Sequence, residues 1–150
     1  IALVAVLGPS LTTTIVVIGT TVWASYARVA RGDVLSVRER DFIMAARAAG
    51  ATNLRIIFRH IVPNVITPII VLATLGVGGI IILEAALSFL GLGVQPPTPD
   101  WGTMLSSARP YIQAYPHLAI APGVMISLTV LAFNLIGDGL RDALDPRQRD

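Results

Sequence analysis

The chain has 150 residues, of which 54% are hydrophobic, 13% are charged and none is Cys, and its mean hydropathy is +0.74. Soluble globular domains carry about 25% charge, so this composition suits lipid better than water, and the missing Cys removes disulfides, zinc-thiolate sites and thiol nucleophiles together. A pI near 9.7 does not make nucleic acid a partner, because a net charge of +2 leaves no broad basic surface for a phosphate backbone.

Three runs, Ile1 to Ala27, Ile61 to Leu83 and Pro110 to Ile136, hold no Asp, Glu, Lys or Arg. Each is long enough to cross about 30 Å of hydrocarbon at about 1.5 Å per helical residue. A core helix of a soluble protein rarely runs so far without a charge, because its outer face must meet water. The first run breaks at Gly8-Pro9-Ser10. Pro9 cannot continue a preceding helix without losing a backbone hydrogen bond, and Ser10 suits the cap of a new helix from Leu11. The expectation is a span over 11–27, with Ile1 to Leu7 as the tail of an earlier one. With no initiator Met and no basic-start signal peptide, the chain reads as N-terminally truncated.

Residues 28–62 follow. Phe42, Ile43, Ala46 and Ala49 recur at helical spacing, Gly50 interrupts, and Thr52 or Asn53 suits a second cap. Leu54, Ile57, Phe58 and Ile61 then repeat at i, i+3, i+4 and i+7, with Arg55 and Arg59 off the apolar stripe. The result is a basic helix, tight turn and helix between two spans, with Gly50 supplying a left-handed cap. Such a stripe serves equally to lie on anionic lipid or to enter a groove on a partner.

A second span is expected over 63–92. Pro63 and Pro68 fit a first helical turn, and Gly76, Gly78 and Gly79 permit close helix packing. Glu84 lies about 30 Å of helix beyond Pro63, near the far interface, and a partner-contact or gating role suits it better than direct solute contact, because acids in a membrane are costly and face protein or water. Residues 93–117 form an irregular loop with a short helix lying at the interface, carrying Trp101, Tyr111 and Tyr115 among prolines, with 118–137 a third span and 138–150 a tail. Asp138, Asp142 and Asp145 beside Arg141 suit a solvated helix there.

All eleven basic residues are Arg; seven lie between the first and second runs, three follow the third and only Arg109 lies between the second and third. By the positive-inside rule the 28–62 segment and the tail are cytoplasmic, and 93–117 is external. His60 and His117 then lie on opposite sides of the membrane and cannot share a metal or proton-relay site. No phosphate-binding loop is present, since Gly76, Gly78 and Gly79 lack the accompanying Lys and Ser or Thr. Asp100, Ser106, Ser107 and His117 share one loop and leave an intramembrane hydrolase as an alternative, beside a membrane scaffold that moves nothing.

Met44-Ala45-Ala46-Arg47-Ala48-Ala49-Gly50, followed after nine residues by His60-Ile61-Val62-Pro63-Asn64, resembles the EAA loop of permease subunits of type I ABC importers. Ala45, Ala46, Gly50 and Pro63 match in register, while Met44, His60 and Val62 stand where that motif has Glu, Ile and Leu. Tyr26-Ala27-Arg28 through Arg31-Gly32, Leu83 through Gly93, Pro99-Asp100-Trp101-Gly102 and Asn134 through Pro146 are similar to the second permease of dipeptide, oligopeptide and nickel importers. The resemblance implies an all-α, polytopic transmembrane bundle in a bacterial inner membrane. It implies a second permease subunit, two cytoplasmic ATPases and an external solute-binding protein as partners, and no cofactor, metal or catalytic residue in this chain. It also implies that the EAA loop couples to the ATPase, through Ala45, Ala46 and Gly50 with Arg47 at the rim. No side chain specifies the solute.

Overall fold

The computed structural model describes residues 2–144, and every regular element among them is helical. Ile1 and the tail residues Asp145, Arg147 and Arg149 fall outside this range. A short α1 (Ala2–Leu7) ends at Gly8, and α2 (Leu11–Arg38) starts where the chain chemistry requires it. Ser10 is extended, its hydroxyl accepts from Thr13 N at 3.1 Å, and its carbonyl accepts the Thr14 hydroxyl. Farther along, the Thr20 and Thr21 hydroxyls donate back to carbonyls one turn earlier. This self-satisfaction lets a Thr-rich helix lose water cheaply.

Helix α2 does not stop at residue 27. It runs on to Arg38, 28 residues in all, or about 42 Å at 1.5 Å per residue, well beyond a hydrocarbon core of about 30 Å. No Pro breaks it after Ala27, and Val37 at its end is buried against later helices, so tertiary packing rewards the extension. After α3 (Asp41–Ala48), α4 (Asn53–Ile56) continues without a break through a π turn (Ile57–Ile61) into α5 (Val62–Phe89). The second helix of the expected pair is therefore the beginning of the long helix itself, not a separate projection. Pro63 lacks the N–H that an α-helix would direct at Arg59, and the wider turn falls immediately before it.

α6 (Trp101–Ala108), a 3₁₀ turn (Arg109–Tyr111) and α7 (His117–Leu144) complete the order. Asn53–Phe89 and His117–Leu144 are long and apolar enough to cross a membrane, and only 11% and 6% of their most apolar stretches are buried within the chain. Core helices of a soluble protein would be buried, so these faces suit lipid or other membrane helices. α2 is less apolar, carrying Thr residues in its first half and Arg28, Arg31, Asp33 and Arg38 in its second.

α5 packs along α7 and, less extensively, along α2. A Cβ at Gly78 would meet Asn134 Oδ1 and Val130 Cγ1 at 3.1 Å, and one at Gly137 would meet Leu75 Cδ2 at 2.6 Å. A Cβ at Gly76 would collide with the Tyr26 hydroxyl, whereas Gly79 faces open space. Missing side chains thus set the α5–α7 and α2–α5 spacing, which suits association where apolar burial itself supplies little drive.

Candidate functional site

The helix pair around Gly50 is built on a small core of its own. Val37 of α2, Ile43 of α3, Ile56 and Ile61 of the next helix and Val65 of α5 are all buried together, with Ala46 and Ala51 packed against them. Burying one such side chain is worth about 1.5–3 kcal/mol, so the cluster fastens α3 firmly to both long helices. Phe42 adds a contact with His60, ring centroids 6.2 Å apart.

The turn itself is a double hydrogen-bonded cap. Gly50 N donates to Arg47 O at 2.9 Å and Ala51 N to Ala46 O at 3.1 Å, with Gly50 at φ +78°. This pattern satisfies the last orphan carbonyls of α3 and needs a left-handed residue at Gly50. The Thr52 side chain then accepts from Arg55 N and caps the following helix. Both caps lie where the residue types indicated.

The apolar stripe is different from its simple reading. Spacing of 3.6 puts Leu54, Ile57, Phe58 and Ile61 on one face, but the structure buries Ile56 and Ile61, five residues apart, and leaves Leu54 and Phe58 at 68% and 70% exposure. A π turn has i to i+5 bonding, here Val62 N to Ile57 O, and so aligns residues five apart. Likewise Ile43 faces inward on α3, while Met44 and Ala45 are exposed. Of the residues singled out by sequence, Ala46 is half-buried against the cluster, and Ala45, Arg47, Gly50 and Pro63 are exposed. Ala45 through Gly50 share one compact projection. Glu84 does not belong to it.

Glu84 lies at the opposite end of α5, half-buried, accepting the Ser88 hydroxyl at 2.8 Å. Ser88 also accepts from Val94 N at 3.2 Å, which anchors the turn after Phe89. Asp100 caps α6 by accepting from Thr103 N at 2.9 Å. Arg109 closes the same end, its guanidinium 5.1 Å from the centre of the Phe89 ring. Sequence reading missed this Ser88 and Arg109 pinning, which joins residues across a turn. A cavity of about 400 Å³ lies beside Glu84, walled by Thr14 and Ile18 of α2, Ile80 and Ile81 of α5 and Trp101 of α6.

The hydrolase alternative finds no geometry. Asp100 is occupied in capping α6, His117 packs edge-on against Tyr115 at 6.1 Å, and among the described residues no hydrogen bond joins Ser106 or Ser107 to His117. Among the described residues there is also no group of three or more His, Asp or Glu able to hold a metal.

Comparison with known proteins bears on the same residues. The family described as binding-protein-dependent transport system inner membrane component matches residues 1–150. The dipeptide transport system permease protein DppC of Alkalihalophilus pseudofirmus is 54% identical over 149 residues, 99% of this chain and 49% of its own length. The di/tripeptide transport system permease protein DppC of Pseudomonas aeruginosa is 50% identical over 150 residues, 100% of this chain and 50% of its own. The glutathione transport system permease protein GsiD of Escherichia coli is 49% identical over 147 residues, 98% and 48%. The chain spans about half the length of these relatives.

Proposed function

Because the chain belongs to the family of binding-protein-dependent transport system inner membrane components, we propose that it is the coupling half of a permease subunit in an ABC importer for short peptides or related small solutes. Its relatives are named for dipeptide, di/tripeptide and glutathione transport. In this reading ATP hydrolysis resides on separate ATPase subunits, a second permease completes the pathway and an external binding protein delivers the solute. α2, α5 and α7 cross the bacterial inner membrane, the α3 end and the tail face the cytoplasm, and the α6 end faces outward, a reading that the arginine asymmetry supports.

The observation that carries the reading is the α3 projection. It has an apolar core beneath, while Met44, Leu54 and Phe58 on its two helices stand exposed, as do Ala45 and Arg47. A projection tied to two long helices moves with them as a rigid unit, and rigid-body movement is how such transitions propagate. An amphipathic element of this kind docks in a groove on its partner through anchors one turn apart, and Leu54 and Phe58 have that spacing. At the other end Glu84 holds the Ser88 hydroxyl that anchors the turn after α5, with no direct part in solute binding.

Replacing both Leu54 and Phe58 with Asp should release the ATPase subunits when the full-length permease is purified by a tag, while membrane insertion persists. Exposed anchors are worth about 1–2 kcal/mol or more each at such an interface, so the retained ATPase should fall at least about tenfold. Undiminished co-purification would remove this face from the interface.

A further inference from the structure

A pair of opposite charges near the α3 end of the bundle is used by nothing described so far. A cleft of about 440 Å³ opens between the three long helices, lined by Val29 and Asp33 of α2, Val71 and Leu75 of α5, and Arg141 of α7. Apart from Asp33, Thr67 and Arg141, its lining residues are apolar. Asp33 Oδ2 is fully buried and, among the described residues, has no hydrogen-bond partner. A carboxylate oxygen out of water is costly until a cation or donor meets it. Arg141 lines the same cleft but leaves that oxygen unmatched. Two opposite charges from different helices thus flank an open apolar volume in place of closing on each other, and this volume falls within the roughly 300–1,000 Å³ of small-molecule sites.

We propose that this cleft binds a zwitterionic solute, its ammonium group on Asp33 and its carboxylate on Arg141. A short peptide with free termini is the chemical class that fits: one cation, one anion, and side chains to lay against Val29, Val71 and Leu75. The guanidinium fork suits a carboxylate in two parallel hydrogen bonds, and the single unmet oxygen of Asp33 suits one ammonium N–H. The inference rests on the importer reading and gives it a solute station at the α3 end, beside the helices that the coupling projection moves.

Two measurements separate the inference from the reading beneath it. Dipeptide uptake by the full-length permease assembled with its partners tests the importer reading. The cleft is tested by equilibrium binding of a dipeptide to the same purified complex without the solute-binding protein. Asp33→Asn should weaken binding of the free dipeptide about tenfold, the worth of one charge-assisted hydrogen bond, and leave binding of the N-acetylated dipeptide unchanged. Arg141→Gln should do the same for the free dipeptide and leave the C-amidated one unchanged. Equal losses for free and blocked dipeptides, or no loss for the free one, would overturn the site. Uptake that proceeds without measurable binding to the complex would overturn it too, while the importer reading stands.

Discussion

Gly50→Val should abolish solute uptake while the permease still inserts and its partner ATPases still hydrolyse ATP. Gly50 stands at φ +78° and, among the described residues beyond its chain neighbours, no atom lies within 4 Å of where a Cβ would be, so the defect is one of backbone and not of collision. A left-handed conformation costs an L-residue about 1–2 kcal/mol, and a β-branched one suffers most. Relief requires Gly50 to leave that conformation, which breaks the bonds to Arg47 O and Ala46 O and swings α3 off its Ile43 anchor. The cluster resists, so the projection loses its single geometry before the fold is lost. Asn tolerates left-handed backbone several-fold better than most residues, and Gly50→Asn should therefore retain much of the uptake. A Val variant with normal uptake, or an Asn variant as defective as Val, would remove the turn from the coupling path.

The second large effect is at the other end of the molecule. A Cβ on Gly102 would collide with the Ala85 carbonyl oxygen and lie 2.7 Å from Ser88 Cβ and 2.9 Å from Ala85 Cα. Backbone atoms cannot yield as a flexible side chain does, so Gly102→Val must push α6 away from α5. That shift disturbs the Glu84–Ser88–Val94 arrangement and the Asp100 cap together. Overpacking of this kind costs about 1–3 kcal/mol or more, and each kcal/mol is about 2–4 °C of Tm for a domain of this size. The detergent-solubilised full-length permease should melt about 2–12 °C lower. Ser88→Ala should cost less, about 1 kcal/mol, the net worth of a hydrogen bond. If Gly102→Val melted no lower than Ser88→Ala, the α5–α6 contact would not be the close backbone approach described here.

What sequence reveals about this chain follows from the range over which its physics acts. The start of α2 was legible because Gly8-Pro9-Ser10 acts within one turn, through a missing N–H and a hydroxyl cap. The Gly50 cap and the Thr52 cap were legible for the same reason. The face of the next helix was not. Periodicity assumes 3.6 residues per turn, and the π turn at Ile57–Ile61 moves the buried set to Ile56 and Ile61 while Leu54 and Phe58 turn outward. How far α2 runs beyond the expected 11–27 span was not legible, because polarity marks where a helix leaves lipid and not where it unwinds. Val37 keeps the helix intact to Arg38 through contacts with residues far along the chain. The meeting of Asp33 and Arg141 at one cleft is more distant still, since it depends on how three long helices cross.

That the proposed permease moves solute at the expense of ATP hydrolysed by its partners is tested by transport with the full-length permease reconstituted in proteoliposomes with the second permease, the ATPases and the solute-binding protein. Labelled dipeptide should accumulate only with ATP, and accumulation should cease when this permease is omitted or carries Gly50→Val, although ATP is still consumed in the latter case. Accumulation that is independent of ATP, or that is unchanged without this permease, would mean that this permease does not couple uptake to ATP hydrolysis.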